Sequence, residues 1–303
     1  MLLSLVACLQ ARDRQGGGQV ELAQHTRRVQ GALAAGVRRV LCRQAEPQAG
    51  ARAPCLFGRH FDATGRDLAA GLVLGQSGDP LGAHRREELE GPADLATPAG
   101  VDAVAAAARD FGGVDCVVQA AGLNRFGLVE QQDDEAIAAQ VALNLVAPML
   151  LSRRLLPLLR ERPRAVLLFV GSTFGAIGYP GFAPYSATKF GLRGFAEALR
   201  RELADGPVRV LYLAPRATRT AMNAGAVVEM NRALGVAMDP PAQVAAAIVQ
   251  ALRDESPERH LGWPERFFAR LNRLLPRVVD RALRGQLATI QRFAHSEPEE
   301  NRP

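Results

Sequence analysis

Apolar and polar positions alternate in two different ways along this chain, and the change comes near residue 93. Beyond it the pattern is regular. Val101–Phe111 carries apolar residues at helical spacing, and Val114–Val118 (VDCVV) is a short apolar run that ends at Ala120-Ala121-Gly122. Asp133–Leu159 reads as one or two long helices. Ala165–Val170 (AVLLFV) and Val208–Leu213 (VRVLYL) are continuous apolar runs, as expected of strands covered on both faces. Helical patterns at Tyr185–Ala204 and Pro240–Arg253 separate and follow them. Strands that alternate with helices predict an α/β fold, a doubly wound parallel sheet with ligand-binding loops at the strands' C-terminal ends. Trp263–Ala294 is a further helical stretch, in which Pro276 predicts a kink or a division. The closing Ser296–Pro303 is polar and is expected to be disordered. The expected organisation is one Rossmann-like domain over 1–262, a basic helical extension over 263–295 and a tail over 296–303.

Residues 1–92 have another texture. They contain no Ile, Tyr, Trp, Asn or Lys, and Phe57 and Phe61 are their only aromatic residues. Short helices at Val20–Ala35 and Glu87–Leu95 and a strand at Val37–Leu41 are the readings the pattern allows. Leu5-Val6-Ala7-Cys8 looks like a lipoprotein cleavage box, but the apolar stretch before Cys8 is too short for a signal sequence. No apolar run approaches the ~20 residues that span a bilayer.

Of the 303 residues, 48% are apolar and 22% charged, a globular composition. The net charge of +6 resides at the two ends, whereas 93–262 is balanced. A nucleic-acid-binding face in that middle part is not expected. Cys8, Cys42, Cys55 and Cys116 include no C-x-x-C pair, so neither a zinc site nor a dithiol is predicted, and a reducing cytoplasm suits them. The five histidines lie outside 93–253 with no metal-ligand spacing, and no G-x-S-x-G marks a hydrolase serine.

The chemistry centres on Ser172, Tyr185 and Lys189. Ser172 follows an apolar strand, and Tyr185 and Lys189 lie four apart, on one face of a helix. Lys189 is the only lysine in the chain, and there are only three tyrosines, so chance spacing is a weak explanation. An ammonium beside a phenol should ease its ionisation, and such a tyrosine can exchange a proton with an alcohol or carbonyl oxygen. A serine hydroxyl at the same oxygen would orient it.

These residues resemble the short-chain dehydrogenase/reductase family over about 93–225. Gly171-Ser172-Thr173, followed by Tyr185-Ser186-Ala187-Thr188-Lys189, is similar to its active-site signature. Asn144 matches the family's helix asparagine, which completes a Ser-Tyr-Lys-Asn proton relay. The resemblance implies that Asp94 contacts adenine, that Ala121 and Gly122 flank the cofactor, and that Pro215, Thr218 and Thr220 close over the nicotinamide, with Tyr185 and Lys189 at its ribose. It further implies hydride transfer between NADP or NAD, with NADP first, and a carbonyl or alcohol substrate, in a homo-oligomeric cytoplasmic enzyme. Phe174–Pro184 and Met222–Asp239 would line the pocket, and their apolar residues predict an apolar substrate.

There are departures from the family pattern. Gln119-Ala120 stands where the family has two asparagines, and Arg216 where it has glycine. The glycine-rich T-G-x-x-x-G-x-G turn that cradles the pyrophosphate is missing from 1–92. That stretch is either a divergent cofactor-binding half or a product of a wrong reading frame or start. A cofactor-impaired, inactive relative is therefore the alternative to an active enzyme.

In the extension, Arg266, Arg270, Arg273, Arg277, Arg281 and Arg284 recur at spacings of three and four beside Trp263, Phe267, Phe268 and Leu271. A basic amphipathic helix of this kind either packs on its own domain or a second copy, or lies on an anionic membrane.

Overall fold

The computed structural model describes residues 93–223 and 225–296, with two short strands at 55–57 and 72–75. Six strands form one sheet in the order β1 (Cys55–Phe57), β2 (Leu72–Gly75), β3 (Cys116–Gln119), β4 (Ala165–Val170), β5 (Val208–Ala214) and β6 (Glu258–His260). Strands β3 to β6 are parallel, as the sequence predicts. The first two are not: β1 pairs antiparallel with β2, and β2 antiparallel with β3. Antiparallel pairing needs no crossover helix. The helix read at Val20–Ala35 and the strand read at Val37–Leu41 lie outside the described residues. Of the helix read at Glu87–Leu95, the described end, 93–95, is non-helical.

Alternation along the central strands explains their unbroken apolar runs. Leu167 and Phe169 face one core, with Val117, Val210 and Tyr212. Leu168 and Val170 face the other, with Val118, Leu211 and Leu213. Helices α1 (Pro98–Asp110), α3 (Ala147–Arg160) and α4 (Ala183–Glu202) cover the first face through Val101, Ala105, Leu151, Leu155, Leu192 and Ala196. Helix α6 (Pro241–Asp254) covers the second through Val244, Ile248 and Leu252. Helices thus lie on both faces, which leaves the strands' C-terminal edge for the site.

Helix α2 (Asp134–Val141) continues through a π turn at Ala142–Val146 into α3. The resulting Asp134–Arg160 stretch is long and apolar enough to cross a membrane, an exception to the sequence expectation. Leu143, Leu151, Leu155 and Leu159 nevertheless pack in the sheet core, which is the place of a core helix.

The extension divides at Pro276, one of the two outcomes expected there, and again at Gly285–Gln286, so that it forms three helices. They are α7 (Trp263–Leu274), α8 (Pro276–Arg284) and α9 (Leu287–His295), and they follow α5 (Ala226–Ala233) and α6 in chain order. Ala269 and Val279 pack on Ala176 and Ile177, and Ile290 and Ala294 on Phe126, Phe182 and Tyr185.

Candidate active site

Ser172 stands two residues beyond β4, and its Oγ accepts a hydrogen bond from the Phe174 amide at 3.1 Å. Pro184 at the start of α4 sets the first turn, and Tyr185 and Lys189 follow on its inward face, 5% and 4% exposed. The Lys189 Nζ lies 5.7 Å from the Tyr185 ring centre and donates to the Val170 carbonyl at 3.3 Å. Burial pushes the Tyr185 phenol up to about 12, and hydrogen bonding with Ser172 acts the other way. Burial brings the Lys189 ammonium down to about 8. Desolvation is thus the largest influence on the phenol, and it acts against the direction expected from a neighbouring ammonium.

Asn144 sits in the π turn, completely buried. Its Oδ1 accepts from the Leu123 amide at 2.8 Å, and its Nδ2 donates to the Leu123 carbonyl at 2.8 Å and to Thr188 Oγ1 at 3.2 Å. These bonds clamp the chain just beyond β3 to the helix that carries Tyr185. Gly122 fits into this clamp: a Cβ there would lie 3.1 Å from Asn144 Oδ1 and 3.4 Å from Lys189 Nζ. Thr188 in turn donates to the Tyr185 carbonyl at 2.7 Å. The four residues named from the sequence thus converge at one place.

The residues named for cofactor contact are spread along the same edge. Ala121 is half-buried and Gly122 buried after β3. Pro215 is buried after β5. Thr218 is 1% exposed and donates to the Arg216 carbonyl at 2.9 Å. Thr220 is 7% exposed, and its Oγ1 has no hydrogen-bond partner among the described residues. Asp94 lies before α1, where its carboxylate accepts from the Ala96 amide at 2.9 Å. An orphaned Thr220 hydroxyl, the side-chain-free wall at Gly122 and the Lys189 ammonium suit the ribose and nicotinamide end of a dinucleotide. No glycine-rich turn for the pyrophosphate occurs among the described residues.

Several site features escaped the sequence reading. Gln119, one of the departures, is buried and donates to Ser152 Oγ at 3.0 Å, tying β3 to α3. Arg216, the other, pairs with buried Asp239 at 2.6 Å and reaches Glu265 at 3.7 Å, joining the β5 loop to α7. The Tyr212 hydroxyl lies under the β4 loop, where a Cβ on Gly171 would come within 2.0 Å of it. Phe174, Tyr179 and Phe182, with Val227, Met230 and Leu234, pack in one apolar cluster with Tyr185. Helix α9 contributes Ile290 and Phe293 to the same cluster, and Tyr179 donates to Gln286 Oε1 at 2.7 Å. Only the helical pattern of 287–295 hinted at that contribution.

The chain is 37% identical over 114 residues to a 3-oxoacyl-[acyl-carrier-protein] reductase of Bos taurus, covering 38% of this chain and 48% of that protein. It is 31% identical over 162 residues to the corresponding reductase of Vibrio cholerae, covering 51% and 66%. An oxidoreductase of Botryotinia fuckeliana is 27% identical over 178 residues, covering 53% and 65%. The chain thus spans between about half and two-thirds of the length of these relatives. A short-chain dehydrogenase structure from Streptomyces avermitilis superimposes with a TM-score of 0.53 at 28% identity, over 69% of this chain and 80% of that one. One from Burkholderia cenocepacia, in complex with NADP, gives 0.55 at 24% identity, over 63% and 77%, a likeness of fold. The short chain dehydrogenase family itself matches residues 80–231, half of the sequence and somewhat wider than the signature residues span, and the chain belongs to that family.

Proposed function

We propose that this protein is an NAD(P)-dependent oxidoreductase that interconverts a carbonyl and an alcohol, with NADP the first choice of cofactor and NAD the second. The observation that carries the reading is the clustering of four side chains: Tyr185 hydrogen-bonds with Ser172 and lies beside Lys189, and Lys189 and Asn144 both reach Gly122. The bound nicotinamide supplies or accepts the hydride. Tyr185 donates its phenolic proton to the carbonyl oxygen in reduction and takes it back from the alcohol in oxidation. Ser172 orients that oxygen through its hydroxyl. Lys189 would hold the ribose, and Thr220, Thr218 and Pro215 the carboxamide and phosphate side. Asn144 acts as a positioning residue through Leu123 and Thr188. The aromatic and aliphatic wall around Tyr185 supports an apolar substrate. Val141 and Val146 on the α2–α3 helix and Phe190 on α4 are exposed apolar residues that support a homo-oligomer, which we place in the cytoplasm.

Replacement of Tyr185 by Phe removes the proton donor and leaves the packing, so turnover of a ketone substrate with NADPH should fall by at least ~10²-fold. A fully active variant would overturn the assignment. The missing glycine-rich turn favours one second reading, a cofactor-impaired relative. Fluorescence titration of the purified chain with NADPH separates the two: micromolar affinity supports the enzyme, and no saturable binding supports the impaired relative.

A further inference from the structure

We propose that the α7–α8 elbow is a docking surface for an anionic lipid bilayer. The extension has divided its labour. Helix α9 faces inward, with Ile290 fully buried, whereas the outer side of α7 and α8 has no partner among the described residues. Trp263 is 76% exposed, Phe267 50%, Leu274 79%, Leu275 54% and Val278 52%. At about 100° of turn per residue, Trp263, Phe267 and Leu274 fall within a sector of roughly 40° on α7. Ala269 and Asn272 lie opposite them. Ala269 is buried against Ala176, and Asn272 donates to the Ala176 carbonyl at 2.9 Å. The aromatic stripe is therefore the face that the domain leaves outward. The Trp263 and Phe267 rings lie nearly parallel with centres 6.1 Å apart, a continuous aromatic plate.

One flank of this stripe is cationic. Arg266, Arg270 and Arg273 are exposed and line a cavity of about 740 Å³ with Trp263 and with Arg193, Glu258, Arg259 and His260 from α4 and β6; there Glu258 pairs with Arg193 and His260, and Arg259 pairs with Asp254, so the three α7 arginines are the cations left over. Neither these three nor Arg277, Arg281 and Arg284 on α8 makes an ion pair among the described residues. Seven arginines stand against Glu265 and Asp280 over 263–293. Glu265 is turned inward toward Arg216.

Charge selects the occupant. A second copy seated face to face would bring two rows of unpaired arginines together, whereas an anionic leaflet offers phosphates to the arginine row and headgroup depth to the aromatic plate. This proposal is independent of the oxidoreductase reading, since it concerns no residue of the catalytic cluster.

Trp263 is the only tryptophan in the chain, so its emission reports on this face alone. The experiment uses the full chain with vesicles of phosphatidylcholine, with and without about one-third phosphatidylglycerol, in flotation and fluorescence titration. The expected result is a blue shift and flotation with the anionic vesicles only. Both should be weakened at least tenfold by ~0.5 M salt, by Phe267→Ser, or by the combined Arg266→Gln, Arg270→Gln and Arg273→Gln changes. These positions are exposed, so circular dichroism should show an unchanged fold. Failure of the intact chain to float with anionic vesicles overturns the proposal, as does flotation indifferent to the substitutions. A Phe267→Ser variant that turns a dimer into a monomer, with no lipid effect in either form, assigns the face to a second copy and overturns it as well.

Discussion

Gly171 is the residue at which the site has least freedom. The Tyr212 hydroxyl lies so close beneath it that a methyl group at Gly171 has nowhere to go without moving Ser172, its chain neighbour. Replacement by Ala should therefore lower both melting temperature and turnover, by a few kcal/mol of overpacking in the first case. Thermal melts and kinetics of Gly171→Ala check this, and a variant of wild-type stability and rate would show that the loop yields freely. Tyr212 sits in the apolar run VRVLYL, where its alternation marks it as core, and nothing in the sequence says which glycine its hydroxyl meets. Ser172, Tyr185 and Lys189 were legible because a strand end and a helical spacing of four fix their relation locally. The bonds of Leu123 and Thr188 to Asn144 were not, because they cross 21 and 44 positions of chain respectively.

Among the elements, α2 owes its start to Asp133, whose carboxylate accepts from the Ala136 amide at 2.5 Å. Loss of that cap in Asp133→Ala should cost ~1 kcal/mol, readable in urea denaturation. An unchanged midpoint would mean that tertiary packing alone sets the helix end. Downstream, the π turn inserts one extra residue per turn and so aims Asn144 at Leu123, a geometry that helical periodicity does not announce. The parallel strands and their helices were readable because both faces of the sheet are buried and leave continuous apolar runs. The weakly patterned first stretch gave no sign of β1 and β2, which are three and four residues long and pair antiparallel. The arginines of the extension read as one stripe on a helical wheel, but the division at Pro276 places them on two helices.

At the scale of the whole molecule, buried ionisable groups shape the response to pH. Lys189 titrates at about 8 in the fold against an ordinary 10.5, so between these values the unfolded chain holds more protons and stability rises with pH. Tyr185 titrates at about 12 against 10, so from pH 10 upward the folded chain holds more protons and stability falls. Denaturation measured from pH 7 to 11 should therefore show a rise to about pH 10 and a decline beyond it. Replacement of Lys189 by Met should flatten the rise, and an unaltered slope would show that the ammonium is hydrated in the fold. Because no other lysine exists in the chain, protein grown with isotope-labelled lysine carries a single ammonium signal in a magnetic-resonance spectrum. That one line belongs to the proposed reaction centre, needs no assignment, and makes the proton inventory of the site visible in the intact molecule as ligands arrive and leave.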